Sequence, residues 1–167
     1  MSIAWRDAMD VGEPSIDADH KHLVAMINEF EAAISGRIDH RGVAVILLKL
    51  FEYTAEHFTR EEEIQLRVRY PYFESHRRSH RDVLKKLTDL VQTYTKAEGA
   101  VRDNMIRTMA GFLKEWLVDH IIQSDLRMKP YIARHHAEMV EAEKRKRAAI
   151  AQSEHMAGVA PKPQAVR

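Results

Sequence analysis

His57 and Glu61 stand four residues apart, and so do His76 and His80. On an α-helix that spacing puts both members of a pair on one face, so each pair can grip a single site. His20 and His120 add two further imidazoles, and Asp125 follows His120 by five residues. The chain contains no cysteine, which excludes disulfides, zinc-thiolate sites, iron-sulfur clusters and thiol nucleophiles. Any metal must therefore be held by nitrogen and oxygen.

The elements that position these groups are legible from apolar periodicity. A first helical run carries Leu23, Met26, Ile27, Phe30 and Ile34 and closes at Ser35-Gly36. A second carries Val43, Leu47, Leu50, Phe51 and Phe58 and ends before Tyr70-Pro71, where proline forbids continuation. A third runs from Val83 through Leu84, Leu87, Leu90 and Val91 to Tyr94, with Glu98-Gly99 expected as its C-terminal cap. A fourth carries Met105, Ile106, Met109, Leu113, Trp116 and Leu117 and runs out before Pro130. Short connections favour antiparallel neighbours. The expected fold is all-α: an up-down-up-down four-helix bundle over residues 1–130, followed by an extension over 131–167. In that extension, 131 to about 155 has helix propensity, and a disordered end is expected around Pro161 and Pro163.

Projected on these helices, His57 and Glu61 continue the stripe Val43, Leu47, Leu50, Thr54. His20 continues Leu23, Ile27, Phe30, and His120 continues Met109, Leu113, Trp116. Polar groups are thus aimed at a core. Burying them without partners costs several kcal/mol, and a metal centre resolves that conflict. His20 starts the first helix, His57 and Glu61 lie late in the second, His76 and His80 start the third, and His120 and Asp125 end the fourth. In an antiparallel bundle those regions meet at one end. The spacing of His120 and Asp125 is the awkward one, since five residues place them about 140° apart on a regular helix. A local widening of the helix or a long reach by the carboxylate is expected there.

Five imidazoles and two carboxylates are too many for one ion and suit two. Bridging carboxylates would leave three imidazoles on one metal and two on the other, so the second keeps an open position. Zinc favours closed four-coordinate sites, and calcium, magnesium and manganese favour oxygen ligands, which leaves iron as the best match. An open position on a redox-capable metal invites dioxygen.

The full set resembles the hemerythrins, especially the bacterial single-domain kind. The matching stretches are Trp5, Val11-Gly12, Ile16-Asp17-Ala18-Asp19-His20, and His57-Phe58-Thr59-Arg60-Glu61-Glu62. They continue with Tyr70-Pro71, His76 and His80, and finally Trp116-Leu117-Val118-Asp119-His120-Ile121 leading to Asp125. Together they span residues 5 to about 130, in order and at compatible distances. The resemblance implies that His76, His80 and His120 bind the saturated iron, His20 and His57 the iron with the open position, while Glu61 and Asp125 bridge. It implies two iron ions with an oxo or hydroxo bridge and reversible binding of dioxygen. Leu23, Phe58, Trp116, Leu117 and Ile121 match or neighbour the apolar lining of the family's oxygen pocket. Two departures stand out: Asp19 replaces the family's usual glutamine, and Gln65 replaces methionine or leucine. Gln65, one turn after Glu61, is expected at the pocket edge, where its polarity would speed autoxidation.

The remaining composition narrows the class. With 167 residues, 45% hydrophobic and 31% charged, the chain suits one soluble domain with a real core. A net charge of +1 gives no reason to expect nucleic acid as a partner. No membrane span is visible, because the longest apolar stretch, Val43 to Leu48, is far shorter than the roughly 20 residues needed. The opening residues lack a signal-like pattern, so a soluble cytoplasmic protein is the expectation; separately, a monomer is expected. His22, His40, His135, His136 and His155 match no ligand position and are expected to face solvent. The basic run Lys144 to Arg147 reads as a solvated helix face beside Glu141 and Glu143.

Three functions compete: an oxygen carrier, store or sensor; a di-iron oxidoreductase acting on peroxide or nitric oxide; and a regulatory module signalling to a protein partner through the C-terminal extension. The Glu-x-x-His pairs of carboxylate-rich oxidases do not occur, and no acid or base is evident beside the open position. The expectation is a binding protein with no catalytic residues.

Overall fold

The computed structural model describes residues 2–158. Four helices form the bundle: α1 (Pro14–Ala33), α2 (His40–Arg67), α3 (Phe73–Lys96) and α4 (Gly99–Gln123). Each packs against its neighbour in sequence, and α4 returns against α1 to close the ring. A short 3-10 turn (Asp7–Met9) precedes α1, a second (Asp125–Met128) follows α4, and α5 (Lys129–Gly158) begins directly after it. The first compact unit closes at Ile132, and the chain from Ala133 onward forms a second.

The helices form where the apolar stripes require them. On α1 the buried positions Ile16, His20, Leu23, Val24, Ile27 and Phe30 recur every three or four residues, which lines one face. Their counterparts include Leu47, Leu50 and Phe58 on α2, Val83 and Leu87 on α3, and Ile106, Met109, Leu113 and Leu117 on α4. These side chains fill the main core. A smaller apolar cluster of Val11, Ile16, Ile64, Val68, Tyr70, Met128 and Ile132 lies at the end of the bundle where α1 begins and α2 finishes.

The helix ends have identifiable causes. Asp39 caps α2 by accepting from the Arg41 amide at 3.1 Å. At the other end of α2, Arg69 takes a left-handed conformation (φ 55°), and the Tyr70 amide donates back to the Gln65 carbonyl at 2.8 Å. That closure consumes an orphan carbonyl before Pro71 is reached. Ahead of α1, the Asp17 carboxylate accepts from the Val11 and Gly12 amides at 2.7 and 3.1 Å, folding the N-terminal arm back. Gly12 supports this with φ of 87°, open to glycine at little cost.

Three sequence expectations are corrected. Gly99 is not a cap of α3, which stops at Lys96; it opens α4 in a left-handed conformation (φ 54°). α4 neither widens nor keeps Asp125: it ends at Gln123, and Asp125 opens the 3-10 turn that follows. Tighter winding there re-aims the carboxylate relative to a continuing α-helix. The helix expected over 131 to about 155 is present as α5, which starts two residues earlier at Lys129, with Pro130 in its first turn, where the missing N–H costs nothing. Finally, His40 is half-buried, with Nδ1 hydrogen-bonded to the Tyr94 hydroxyl at 2.8 Å and Nε2 standing 3.0 Å from Asp103. His22, His136 and His155 are exposed, and His135 is partly so.

The second unit, taken by itself, carries α5 beyond Ile132 as an exposed helix laced by Glu141–Arg145 and Glu143–Arg147 pairs at 3.6 and 2.9 Å. Pro161 and Pro163 lie outside the described residues. Among those described, no helix is long and apolar enough to cross a membrane.

Candidate metal centre

Seven polar side chains from all four helices and the following turn converge between the main core and the apolar end cluster. His20 comes from α1, His57 and Glu61 from α2, His76 and His80 from α3, His120 from α4, and Asp125 from the 3-10 turn. None exceeds 6% exposure. The structure thus brings together every one of the seven candidate ligands.

The two carboxylates lie between two sets of imidazoles. Asp125 presents Oδ2 to His20 Nε2 at 3.2 Å and Oδ1 to His120 and His76 Nε2 at 3.2 and 3.3 Å. Glu61 places Oε1 2.9 Å from His76 Nε2, and Oε2 3.5 and 3.6 Å from His57 and His80 Nε2. Two groups of donor atoms result, Glu61 with His76, His80 and His120, and Glu61 with His20 and His57. Glu61 belongs to both.

Apart from His80 Nε2 and His120 Nε2, which share a hydrogen bond at 3.2 Å, these inward-facing atoms approach one another without bonding. Nε2 of His20, His57 and His76, Oε2 of Glu61 and both oxygens of Asp125 are buried without a hydrogen-bond partner. A typical domain satisfies nearly all such atoms, because each one left unpaired costs about 1–3 kcal/mol. Lone pairs buried together and aimed at one another's surroundings fit a cation. Charge leads to the same place. Burial, reinforced by the negative charge of Glu61, pushes the Asp125 carboxyl well above its usual range. Burial opposes ionisation of Glu61 too, but contact with His76 and the nearby His80 hold it below its usual range. Two carboxylates this close stay ionised together only beside compensating positive charge. Burial also pushes His80 down to about 2 and His120 to about 3, keeping both imidazoles in the neutral form that ligates metals.

Outer groups fix how the rings face. His57 Nδ1 lies 3.3 Å from Asp19 and His80 Nδ1 3.0 Å from Glu62. A carboxylate only accepts, so both rings carry their proton on Nδ1 and turn the Nε2 lone pair inward. Asp19 is held in turn by the Tyr53 hydroxyl at 2.7 Å and by Arg60 Nε and Nη2 at 2.8 and 3.1 Å. Burial works against the charge on Asp19, yet its bonds to His57, Arg60 and Tyr53 hold its carboxyl well below the usual range. Sequence reasoning missed Tyr53, Arg60 and Glu62. The available signal was spacing: Arg60 follows His57 by three residues and Tyr53 precedes it by four, so all three share a face of α2.

Gln65 donates its amide to Glu61 Oε1 at 2.8 Å, leaving its own oxygen buried and unbonded. Leu23, Phe58, Leu117 and Ile121 are buried, with Trp116 partly so. Phe58 stacks on His80 with ring centroids 3.7 Å apart, and Trp116 stacks on His120 at 5.1 Å. Aromatic faces thus lie against the imidazole-rich side of the centre.

The fold and site define a class: a four-helix bundle whose buried imidazoles and carboxylates could hold a metal cation near one end. The model of the hemerythrin HHE cation binding domain matches residues 12–132, and the chain belongs to the hemerythrin family. It is 28% identical over 123 residues to a bacteriohemerythrin of Pseudomonas aeruginosa, covering 74% of this chain and 76% of that one. A hemerythrin-like protein of Naegleria gruberi is 28% identical over 125 residues, covering 75% and 89%. The crystal structure of a hemerythrin variant superposes with a TM-score of 0.66 at 25% identity, covering 78% of this chain and 98% of that one.

Proposed function

We propose that the chain binds dioxygen reversibly at a non-haem di-iron centre, for oxygen storage, delivery or sensing, and turns over no substrate. Residues 1–130 would form the binding domain and 131–167 an extension available to a protein partner. His76, His80 and His120 would hold one iron, His20 and His57 the other, and Glu61 and Asp125 would span both. The observation that carries this reading is the cluster of buried, inward-facing nitrogen and oxygen atoms without hydrogen-bond partners. The division into three and two imidazoles agrees with the two overlapping donor groups, and the two oxygens of Asp125 face opposite sets. Iron suits this nitrogen-rich, thiolate-free set.

When bound, the iron pair supplies two electrons and an open coordination position. The chain supplies the surroundings. Asp19 and Glu62 hold His57 and His80 in the tautomer that ligates. Leu23, Phe58, Trp116, Leu117 and Ile121 would line the oxygen pocket. Four of them are buried apolar side chains, which exclude the water and anions that promote irreversible oxidation. Glu61 is steadied by the Gln65 amide.

The test is an optical spectrum of the purified protein, with iron quantified, through reduction and re-exposure to oxygen. The expected result is two irons per chain and charge-transfer bands that vanish on reduction and return as an oxy adduct removable under argon. Protein from iron-replete cells without stoichiometric iron overturns the proposal. Irreversible oxidation with consumption of peroxide or nitric oxide would favour the oxidoreductase alternative.

A further inference from the structure

His57 is backed by a buried acid that is itself firmly held. Asp19 lies behind its Nδ1, only 7% exposed, and is gripped by three further donors: the Tyr53 hydroxyl and two guanidinium nitrogens of Arg60. Arg60 also lies over the Tyr53 ring at 5.4 Å, and its Nη1 reaches Glu56 at 3.6 Å. The four residues form a closed chain of contacts from the surface to the centre. His80 has an acid behind it as well, but Glu62 is 23% exposed and its ion pair with Arg77 stands off at 3.5 Å.

We infer that Asp19, Tyr53 and Arg60 form a positioning triad that sets how strongly His57 donates to its metal. This rests on the di-iron reading above. A carboxylate accepting the Nδ1–H polarises the ring and strengthens the Nε2 lone pair. Arg60 and Tyr53 draw charge off that same carboxylate, so they temper the effect. Asp19 and Arg60 therefore pull in opposite directions on one imidazole. A purely structural quartet tying α1 to α2 has no such sign.

The test compares the iron-loaded parent with Asp19→Asn and Arg60→Gln, measuring iron per chain, midpoint potential by spectroelectrochemical titration, iron loss to a chelator and thermal stability. Asp19→Asn is expected to keep the iron, raise the potential and weaken metal retention by about 10–100-fold. Arg60→Gln is expected to lower the potential. The inference is overturned if both variants lose stability while their potentials match the parent, or if both shift it in the same direction. If Asp19→Asn fails to fold, Arg60→Gln decides by itself. A parent that takes up no iron defeats the dioxygen reading; the same variants loaded with cobalt(II) then report donor strength through its visible bands. Bands unchanged by Asp19→Asn, or no cobalt uptake, overturn the triad.

Discussion

Histidine, aspartate and an aromatic ring meet at both ends of the bundle, with opposite outcomes. At the end where α2 begins, His40 Nδ1 shares a hydrogen bond with the Tyr94 hydroxyl, Nε2 stands 3.0 Å from Asp103, and the Tyr94 ring also carries Arg102 at 4.7 Å. Nδ1 of that half-buried imidazole has its hydrogen-bond partner inside the protein. At the other end, Nε2 of His20, His57 and His76 is buried with no hydrogen-bond partner. The residue types are shared and the bookkeeping differs. A satisfied histidine holds helices together, whereas a set of unsatisfied ones waits for something the chain does not itself supply.

The comparison breaks most decisively at the ligands. His76→Ala or Glu61→Ala should abolish stoichiometric metal, read by elemental analysis of purified protein; retention of iron by either would remove the distinction between the ends. Next comes metal removal. Stripping iron with a chelator after reduction leaves several buried atoms unpaired, each costing about 1–3 kcal/mol, so the apo protein should melt well below the loaded one in calorimetry. His40→Ala should do the reverse. It leaves the buried Tyr94 hydroxyl unpaired at a cost of about 1–2 kcal/mol, a drop of a few degrees in melting temperature, with iron content unchanged. The smallest effect belongs to Gln65→Met. That variant should keep both irons and slow decay of the oxy form by a few fold, the scale set by one hydrogen bond worth about 1 kcal/mol; an oxy lifetime no longer than the parent's counts against a role for this amide.

Much of this was legible from spacing. The stripes from Leu23 to Phe30 and from Val43 to Phe58 dictated which faces turn inward, and the i, i+4 pairs His57–Glu61 and His76–His80 followed those faces. Where periodicity stops, so does legibility. Asp125 lay five residues from His120, and the break at Ser124 that resolves this has no proline or glycine to announce it. His40 looked like a surface residue because its partners, Tyr94 and Asp103, are more than fifty residues away in sequence. Asp19 could be recognised as a departure from the family, but its link to Arg60 and Tyr53 depends on how α1 lies against α2.

The small apolar cluster at the ligand end draws Val11 and Ile16 from before and within the first helix, and Met128 and Ile132 from beyond the fourth. A chain emerging from the ribosome meets its histidines one after another, long before it can close the lid over them. Asp125, the last carboxylate, arrives only seven residues before Ile132 closes the cover, so on the di-iron reading stable metallation would wait until synthesis of the bundle is nearly complete.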